Sequence, residues 1–490
     1  MKRIVNWIDG SATPPKADRW LDNVDPATGE TIARVADSDA ADVDRAVDAA
    51  RRAFPAWAAT PAADRSRQLH RIADALKSRI DDFARAESED SGKPLTAAGT
   101  VDIPRAVTNF RFFADAILHG EDQAHLIDRS ALNYTLRRPR GVAGLISPWN
   151  LPLYLLTWKI APALATGNTV VAKPSELTPT TAFMLGELTG EAGLAPGVLN
   201  IVQGHGAGCG AAIVDHKDVP AISFTGGTIT GRAIATSAAS QFKKVALELG
   251  GKNPTLVFDD VDIDRVAAEA TRAAFSNQGQ ICLCGSRLLL HEAIYEPFVD
   301  RLVEHAKRLR CGDPLEDGTT QGALISADHL RKVQGFIETA QEAGGVIRCG
   351  GKPPEDLPPR VRDGAFLEPT VITGLPDDCR VLHEEIFGPV LTVQSFRDES
   401  RALALANGTP YGLAASVWTR DLDRAHRVAD ALHSGTVWVN CWMLRDLRVP
   451  FGGMKSSGVG REGGREALEF FTEPKNVCLK LDDSIPPEPL

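Results

Sequence analysis

The chain has 490 residues, of which 43% are hydrophobic and 24% are charged, and its formal net charge at pH 7 is −10. This length exceeds what one hydrophobic core usually serves, so we expect two or more domains. The acidic balance argues against nucleic acid as a partner, and no apolar run approaches the roughly 18 residues needed to cross a bilayer. The start of the chain meets Asp9 and Gly10 before an export signal develops, and the eight cysteines show no disulfide or metal-ligand spacing. We therefore expect a protein of the cytoplasm.

The N-terminal part of the chain has a helical pattern. Between residues 41 and 89, apolar side chains recur at helical spacing, first around Val43 and Val47 and then over residues 69–80. The spacing predicts two helices, of which the second ends near Ser91 and Gly92.

After Arg140, short apolar runs alternate with helical ones, which is typical of an α/β protein with parallel sheets. The first series of predicted strands lies at residues 142–146, 169–172, 199–202, 221–224 and 255–258. A second series follows Cys282, at residues 287–290, 370–372, 391–396, 414–418 and 436–439. Two series predict two sheets and two α/β domains. Runs rich in Pro and Gly predict a surface loop at 349–359 and a tail at 485–489.

Three side chains carry candidate chemistry. Cys282 ends the run Phe-Ser-Asn-Gln-Gly-Gln-Ile-Cys, and a thiolate that adds to a carbonyl carbon forms a tetrahedral alkoxide directly. Glu248 lies in an apolar run that ends in two glycines, and apolar surroundings raise the pKa of a carboxyl into the range of a general base. Asn150, which follows a Pro-Trp pair, offers an amide donor for an oxyanion.

Each of these side chains also has a structural alternative. A cysteine is often a small buried hydrophobic residue, a glutamate at a helix end often forms a salt bridge, and an asparagine after Pro-Trp is often a turn residue. Cys284 lies two residues after the candidate nucleophile, and either packs in the core or is oxidised against Cys282.

The Glu248 and Cys282 segments resemble the motifs of the NAD(P)-dependent aldehyde dehydrogenase superfamily, and the resemblance covers nearly the whole chain. It implies an α/β fold with a Rossmann-type cofactor domain, an α/β catalytic domain and a small β oligomerisation element. The implied domains are residues 1–120 with 140–249 for NAD, 250–448 for catalysis, and 121–139 with 468–490 for oligomerisation. A homodimer or homotetramer follows from the same resemblance, with residues 477–481 as an edge strand that pairs with a neighbouring subunit.

The resemblance also implies that NAD is the cofactor. Lys173 and Glu176 hold the adenine ribose hydroxyls, and the Glu176 carboxylate repels a 2′-phosphate, which favours NAD over NADP. Glu385 contacts the nicotinamide ribose, and Phe387 packs near the nicotinamide ring. The other implied cofactor contacts are Ile146, Ser147, Pro148, Trp149, Ser175, Phe224, Thr225, Gly226, Gly227 and Leu249.

Two glycine-rich segments compete for the pyrophosphate. Residues 458–463 fit the GxGxxG pattern, but they follow a loop and not a buried strand. Residues 222–227 form a predicted strand that enters two glycines and then a helix, so its backbone N–H groups face an anion. The family commonly has Ser at the position of Gly227 and often Glu at that of Ile229. These departures leave the pyrophosphate contacts open.

Within the superfamily, the closest resemblance is to the 2-aminomuconic and 2-hydroxymuconic semialdehyde dehydrogenases. It is carried by residues 133–135, 148–162, 281–284 and 440–445. Such substrates carry a carboxylate at the end opposite the aldehyde, and a guanidinium binds both carboxylate oxygens at once. We expect Arg111 and Arg445 to clamp this group, with Arg448 a weaker candidate. For each arginine, a solvent-facing structural role is the alternative.

Tyr154 and Trp158 lie four residues apart after Asn150, which predicts two rings on one helical face toward the substrate tunnel. Core packing is the alternative. Family members that pass the acyl group to coenzyme A lack a glutamate at position 248, so the resemblance implies hydrolysis to the free acid. Three rival functions stay open: a dehydrogenase of an aliphatic, aromatic or betaine aldehyde, a cofactor-independent esterase that uses Cys282 and Glu248, and a non-catalytic protein.

Overall fold

The structure is a computed structural model, and it describes residues 1–481. The predicted tail at 485–489 and the end of the predicted oligomerisation element lie outside the described residues. The α-helices are Ala40–Ala59, Ala62–Lys77, Ile80–Ser91, Leu95–Ala97, Ile103–Ala116, Pro152–Ala165, Thr180–Glu191, Ala211–Asp215, Thr228–Ala239, Ile263–Phe275, Tyr295–Lys307, Ala327–Glu342, Arg380–His383, Glu399–Asn407, Leu422–Ala431 and Gly464–Phe470. Short π-helical turns occur at Ala98–Asp102 and Gly206–Gly210.

The first large sheet has eight strands, in the order Gly458–Val459, Lys244–Glu248, Ala221–Thr225, Val142–Ile146, Thr169–Lys173, Leu199–Ile201, Asn6–Ile8 and Ser11–Thr13. Its five central strands run parallel, and the strands at both edges are antiparallel. The central strands are buried on both faces, because helices cover the two sides of a doubly wound sheet.

The second large sheet has seven strands, in the order Val346–Cys349, Thr370–Thr373, Val390–Phe396, Arg287–His291, Pro254–Val257, Ala414–Trp418 and Thr436–Val439. All pairs are parallel except the one made by the edge strand Val346–Cys349. The predicted strands of both series form, and the α/β fold is confirmed. Pro254–Val257, predicted as the last strand of the first series, instead lies in the second sheet between Arg287–His291 and Ala414–Trp418.

Three smaller sheets complete the described part of the chain. One contains Lys2–Ile4, Thr31–Ala36 and Trp20–Val24, and one pairs Tyr411–Gly412 with Met454–Lys455. The third has the order Thr472–Lys480, Ala131–Pro139 and Ala124–Ile127. It joins the two segments that the family resemblance assigns to oligomerisation.

The helical region before residue 92 differs from the prediction. It forms three helices and not two, because the chain turns at Ser78 and Arg79. The Ser78 hydroxyl donates to the Ala75 carbonyl, and Arg79 has φ −123°, so the two helices that flank this corner take separate directions. The last of the three ends at Gly92, whose φ of 72° suits a helix C-terminus.

The GxGxxG match is part of a β-edge. Gly458–Val459 pairs antiparallel with the end of the strand Lys244–Glu248. A Cβ on Gly458 would lie 2.3 Å from the Leu247 carbonyl oxygen, so close backbone approach explains this glycine. Within residues 1–481, none of the helices is long and apolar enough to cross a membrane.

Candidate active site

The predicted site residues converge because they follow neighbouring parallel strands. Val142–Ile146, Ala221–Thr225 and Lys244–Glu248 lie side by side, and the turns after their carboxyl ends face one cavity of about 270 Å³. Ligands commonly bind at this edge of an open α/β sheet. Ten of the predicted residues line the cavity: Pro148, Trp149, Asn150, Thr225, Gly226, Gly227, Leu249, Cys282, Glu385 and Phe387.

The backbone around Cys282 has a defined conformation. Before it, Asn277 and Gln278 have φ of 52° and 56°, a left-handed conformation that side chains rarely adopt. The Asn253 amide donates to the carbonyl oxygens of Cys282 (2.7 Å) and Cys284 (2.9 Å). These contacts fix the loop at the floor of the cavity. No sequence motif predicted this role of Asn253.

The fold leaves Cys282 as a thiol at neutral pH. Burial, together with the nearby charges of Glu385 and Glu248, raises the pKa of Cys282 to about 12. A base is therefore needed to take the proton from this thiol before it acts as a nucleophile. Burial also raises the pKa of Cys284 to about 12, and its Sγ lies 3.7 Å from the Ser276 carbonyl oxygen, which fits a packing role.

Glu248 supplies such a base. Its side chain is buried, and neither carboxylate oxygen has a hydrogen-bond partner. Burial, together with the charge of Glu462, raises the pKa of Glu248 well above its usual value, and Lys159 opposes this shift. A carboxylate that is unpartnered and poorly solvated accepts protons readily, and it is free to turn toward a substrate or water.

A buried ion pair lies near Glu248. Lys159 Nζ is 2.5 Å from Glu462 Oε1 and 3.0 Å from the Ser223 hydroxyl, which itself donates to Glu462. These groups satisfy one another, so the negative charge of Glu462 stays fixed close to Glu248 and helps to raise its pKa.

Asn150 presents its amide in a defined orientation. Its Nδ2 donates to the Gln280 carbonyl oxygen at 2.8 Å, in the segment that leads to Cys282. A primary amide has two N–H donors, so one stays available for the substrate oxyanion that forms when the Cys282 sulfur adds to a carbonyl carbon. The Asn150 carbonyl oxygen accepts from Lys93 Nζ (3.0 Å) and from Asn277 Nδ2 (3.1 Å).

Two glycines and an acidic side chain shape the other wall of the cavity. Glu385 Oε1 accepts from the Gly251 N–H at 2.8 Å. A Cβ on Gly250 would lie 2.1 Å from Glu385 Oε2, so only glycine leaves room for this carboxylate. Glu385 is thereby fixed beside the cavity.

His329 was missed by the sequence analysis. It lies in the first turn of the helix Ala327–Glu342, and its Nε2 donates to the Phe387 carbonyl oxygen at 2.6 Å. Burial lowers the pKa of His329 to about 4, so the ring is neutral at pH 7. Trp149 packs edge-on against both rings, with centroids 5.3 Å apart in each case. Phe387 itself has φ 62°, and these contacts hold that strained backbone in place.

A second cavity of about 500 Å³ is lined in part by the first turns of the helix Thr228–Ala239, whereas the first cavity contacts Gly227, just before this helix. Its walls are mainly apolar and include Ile146, Phe224, Ile229 and Ile234. At its sheet edge, Lys173 Nζ lies 3.2 Å from Glu176 Oε2. Burial alone would raise the pKa of Glu176, but Lys173 and hydrogen bonds outweigh it and lower the pKa, so Glu176 is ionised.

The two cavities and the turn between them fit a dinucleotide. The buried hydroxyls Ser147 Oγ and Thr225 Oγ1 have no protein partner and can bind a polar ligand. A Cβ on Gly227 would meet nothing within 4 Å, so space remains at the helix N-terminus for a pyrophosphate. Ser175 has another task, because its hydroxyl accepts from the Leu177 N–H at 3.3 Å.

An aromatic cluster covers the opposite side of Cys282. Tyr154, Trp442 and Phe451 are buried in this cluster, and Cys282 packs against it. The Arg445 guanidinium lies over the Phe451 ring, 4.0 Å from its centroid, and the Arg105 guanidinium lies over the Tyr154 ring at 5.5 Å. Two cations therefore stand on the aromatic walls that surround the nucleophile.

Three predicted substrate contacts lie elsewhere. Arg111 pairs with Asp74 at 2.6 Å, and Arg448 is 80% exposed and pairs with Asp446 at 2.6 Å. Trp158 packs on Phe113, at 5.6 Å between ring centroids, in the core cluster of the N-terminal helices. The structure thus corrects the expectation that these side chains join Tyr154 and Arg445.

Helix geometry explains the correction. Arg105 and Arg111 are separated by about one and two-thirds turns, so they point to different sides of the helix Ile103–Ala116. The helix Pro152–Ala165 is buried on nearly all sides, so residues that share a face still enter different clusters. In the sequence, Arg105 is one of two arginines on this helix, and no pattern distinguishes it from Arg111.

Comparison with known proteins identifies the family of this chain. The profile of the aldehyde dehydrogenase family matches residues 13–477. The chain is 51% identical to 2-aminomuconic semialdehyde dehydrogenase of Danio rerio, over 98% of this chain and 99% of that protein. It is 47% identical to 2-hydroxymuconic semialdehyde dehydrogenase of Pseudomonas sp. (strain CF600), over 98% of this chain and 100% of that protein.

Solved structures agree with the fold. PnpE from Pseudomonas sp. WBC-3 superposes with a TM-score of 0.96 at 42% identity, covering 100% of this chain and 99% of PnpE. PnpE has also been solved in complex with nicotinamide adenine dinucleotide, and that structure superposes equally well, with a TM-score of 0.96 at 43% identity over 99% of both chains. The predicted superfamily is confirmed, and the chain belongs to the aldehyde dehydrogenase family.

Proposed function

We propose that this protein oxidises an aldehyde that carries a carboxylate at its far end, with NAD as cofactor, and releases the free acid. 2-Aminomuconic and 2-hydroxymuconic 6-semialdehydes are the substrates we propose, since relatives that are 51% and 47% identical carry those names. One observation carries the substrate class: within residues 1–481, neither Arg105 nor Arg445 forms an ion pair, and both stand on the aromatic cluster beside Cys282.

The first chemical step follows from Cys282 and Asn150, which line the cavity, and from Glu248, whose charge acts on Cys282. Glu248 takes the proton of the Cys282 thiol, whose pKa is too high for spontaneous ionisation near neutrality. The sulfur then adds to the aldehyde carbon, and the carbonyl oxygen becomes an alkoxide. The free Nδ2–H of Asn150 stabilises this charge.

NAD, when bound between the two cavities, supplies the acceptor for the hydride that leaves the tetrahedral carbon. Glu385 and the Phe387 segment orient the group that receives it, and the aromatic cluster excludes water from the sulfur during this step. A thioester remains on Cys282. Glu248 passes the proton it took from Cys282 to solvent and then deprotonates a water molecule, which attacks the thioester carbon. The C–S bond breaks, the acid leaves, and the Cys282 thiolate takes the second proton back from Glu248.

The arginine pair gives a direct test of the substrate class. Replacing Arg105 or Arg445 by Gln should raise KM for 2-hydroxymuconic 6-semialdehyde roughly tenfold to a hundredfold, because a hydrogen bond to a charged group is worth about 1.5–3 kcal/mol. KM for benzaldehyde, which has no carboxylate, should change less than about twofold. Initial rates of NADH formation at saturating NAD measure both constants.

Arg111→Gln and Arg448→Gln are matched controls, because both guanidiniums already pair with a surface carboxylate. We expect neither to change KM for either substrate. If Arg105→Gln and Arg445→Gln raise both KM values equally, the proposed carboxylate clamp is wrong.

We also propose that the sheet of Ala124–Ile127, Ala131–Pro139 and Thr472–Lys480 is an oligomerisation element, with residues 1–120 and 140–249 as the cofactor domain and 250–448 as the catalytic domain. Thr472–Lys480 is an edge strand, and Leu126, Ile127 and Leu479 are more than half exposed. Light scattering should give the mass of a dimer or tetramer, and Leu126→Lys should reduce it. A monomeric wild type would overturn this proposal.

None of the eight cysteines forms a disulfide, which supports a reducing, cytoplasmic location.

A further inference from the structure

A buried lysine lies directly behind the oxyanion donor. Lys93 is 1% exposed, and its Nζ donates to the Asn150 carbonyl oxygen at 3.0 Å. It comes from a different part of the chain, the segment after the helix Ile80–Ser91. The reaction steps described above do not use this ammonium group, yet it contacts the backbone of the residue that stabilises the alkoxide.

Two buried carboxylates compensate the charge of Lys93. Asp102 accepts a hydrogen bond from Nζ, and Glu87 Oε1 lies 3.9 Å from it. Glu87 also accepts from the Leu153 N–H (3.4 Å) and from the Thr181 hydroxyl (3.0 Å). Leu153 lies in the first turn of the helix that follows Asn150, so the cluster of Lys93, Asp102 and Glu87 contacts the Asn150 segment twice.

The chain uses unusual backbone to build this cluster. Gly92 has φ 72°, and a Cβ there would lie 2.8 Å from Pro26 and 2.9 Å from Ala323, so the turn into Lys93 requires glycine. Asp102 ends the π-helical turn Ala98–Asp102, and such turns frequently occur at functional sites. A buried ion pair of this kind is a poor source of stability, because desolvating the charges offsets their attraction. A role in placing Asn150 accounts for its position.

We propose that Lys93, held by Asp102, is a positioning residue that fixes Asn150 for stabilisation of the oxyanion. Lys93 and Asn277 hold the Asn150 carbonyl oxygen on one side, and the Asn150 amide holds the Gln280 carbonyl oxygen on the other. This pair of contacts sets the distance between the amide and the Cys282 segment. The inference rests on the proposed aldehyde oxidation, because it assigns a role within that reaction.

A double-mutant cycle tests it. Asn150→Ala should lower kcat/KM for the aldehyde about a hundredfold, the usual loss for one oxyanion donor. Lys93→Met should lower kcat/KM about tenfold, while the Kd for NAD, measured by titration of protein fluorescence, stays within twofold. If Lys93 acts through Asn150, the double variant should be no slower than Asn150→Ala alone, because coupled residues are not additive.

Lys243→Met is the matched control. Lys243 is also buried and also donates to main-chain carbonyl oxygens, those of Val214 and His216, at 2.5 and 2.6 Å. We expect it to lower Tm as Lys93→Met does and to leave kcat/KM unchanged at saturating NAD. Asp102→Asn provides a second variant that keeps the shape of the cluster. It should lower kcat/KM when Asn150 is present and should cause no further decrease in the Asn150→Ala variant.

The outcomes separate this inference from the proposed function. A wild-type protein without aldehyde oxidation would overturn the proposed function, and with it the role of Lys93. An active wild type in which Lys93→Met and Asp102→Asn reduce kcat/KM by the same factor with and without Asn150 would overturn the positioning role alone. A loss of kcat/KM that occurs only when Asn150 is present supports the positioning role. Unchanged kcat/KM in both Lys93→Met and Asp102→Asn contradicts it.

Discussion

Replacing Cys282 by Ala is expected to abolish NADH formation from any aldehyde, with kcat lowered by at least about 10⁴-fold, a usual result for the loss of a covalent nucleophile. The physical reason is the order of events at the cavity floor. Hydride leaves a carbon only after that carbon has become tetrahedral and carries an alkoxide. In the described part of the chain, Cys282, Cys284 and Cys441 are the thiols of this cluster, and of these only Cys282 lines the cavity.

Cys284→Ala is the matched control for this prediction, because Cys284 is buried two residues away and contacts the Ser276 carbonyl oxygen. We expect this variant to retain kcat within about threefold, since it removes a packed sulfur and no reacting group. Mass spectrometry after incubation with substrate and NAD should find an acyl adduct on wild type and none on Cys282→Ala. Residual turnover above 1% in Cys282→Ala would contradict the thioester mechanism.

Glu248→Gln is expected to give the second largest effect, a loss of about 10²–10⁴-fold in steady-state kcat, the typical contribution of a general base. Its distinctive result is a burst. Solvent takes the thiol proton in place of Glu248, so the thioester still forms, more slowly, and about one NADH per active site appears before turnover stalls. The isosteric amide keeps the shape of the buried side chain while it removes the group that activates water.

The pH dependence of kcat provides a second test of Glu248 as the base. Burial raises the pKa of Glu248 well above the usual carboxyl value, so the fraction that is ionised, and with it kcat of the wild type, should rise with pH through that raised pKa. Glu248→Gln should lose this rise. Stopped-flow absorbance of NADH at several pH values measures burst and steady state together. A variant with no burst and an unchanged pH profile would place the base elsewhere.

The sequence predicted the sheets well because strands buried on both faces are continuous apolar runs. The strand Thr169–Lys173 is fully buried, and its apolar pattern makes it recognisable without any partner. The turns after such strands converge at one edge of the sheet, which brings Asn150 and Glu248 together. Cys282 follows the helix Ile263–Phe275, and only its motif predicted that it joins them.

The side chains that reach the site from helices could not be predicted from the sequence. Arg105 and Arg111 lie on the same helix, and only the packing of that helix decides which one approaches Tyr154. His329 and Lys93 act through single hydrogen bonds to the backbone of Phe387 and Asn150. Such bonds depend on tertiary placement and leave no periodic pattern in the chain.

One steady-state experiment tests the central claim most directly. NADH or NADPH formation should be followed with 2-hydroxymuconic 6-semialdehyde beside benzaldehyde and betaine aldehyde, each with NAD and with NADP. We predict the highest kcat/KM for the carboxylated semialdehyde. We also predict a higher kcat/KM with NAD than with NADP, because the ionised Glu176 carboxylate would repel a 2′-phosphate. A higher kcat/KM for the uncharged or cationic aldehydes would contradict the proposed substrate class.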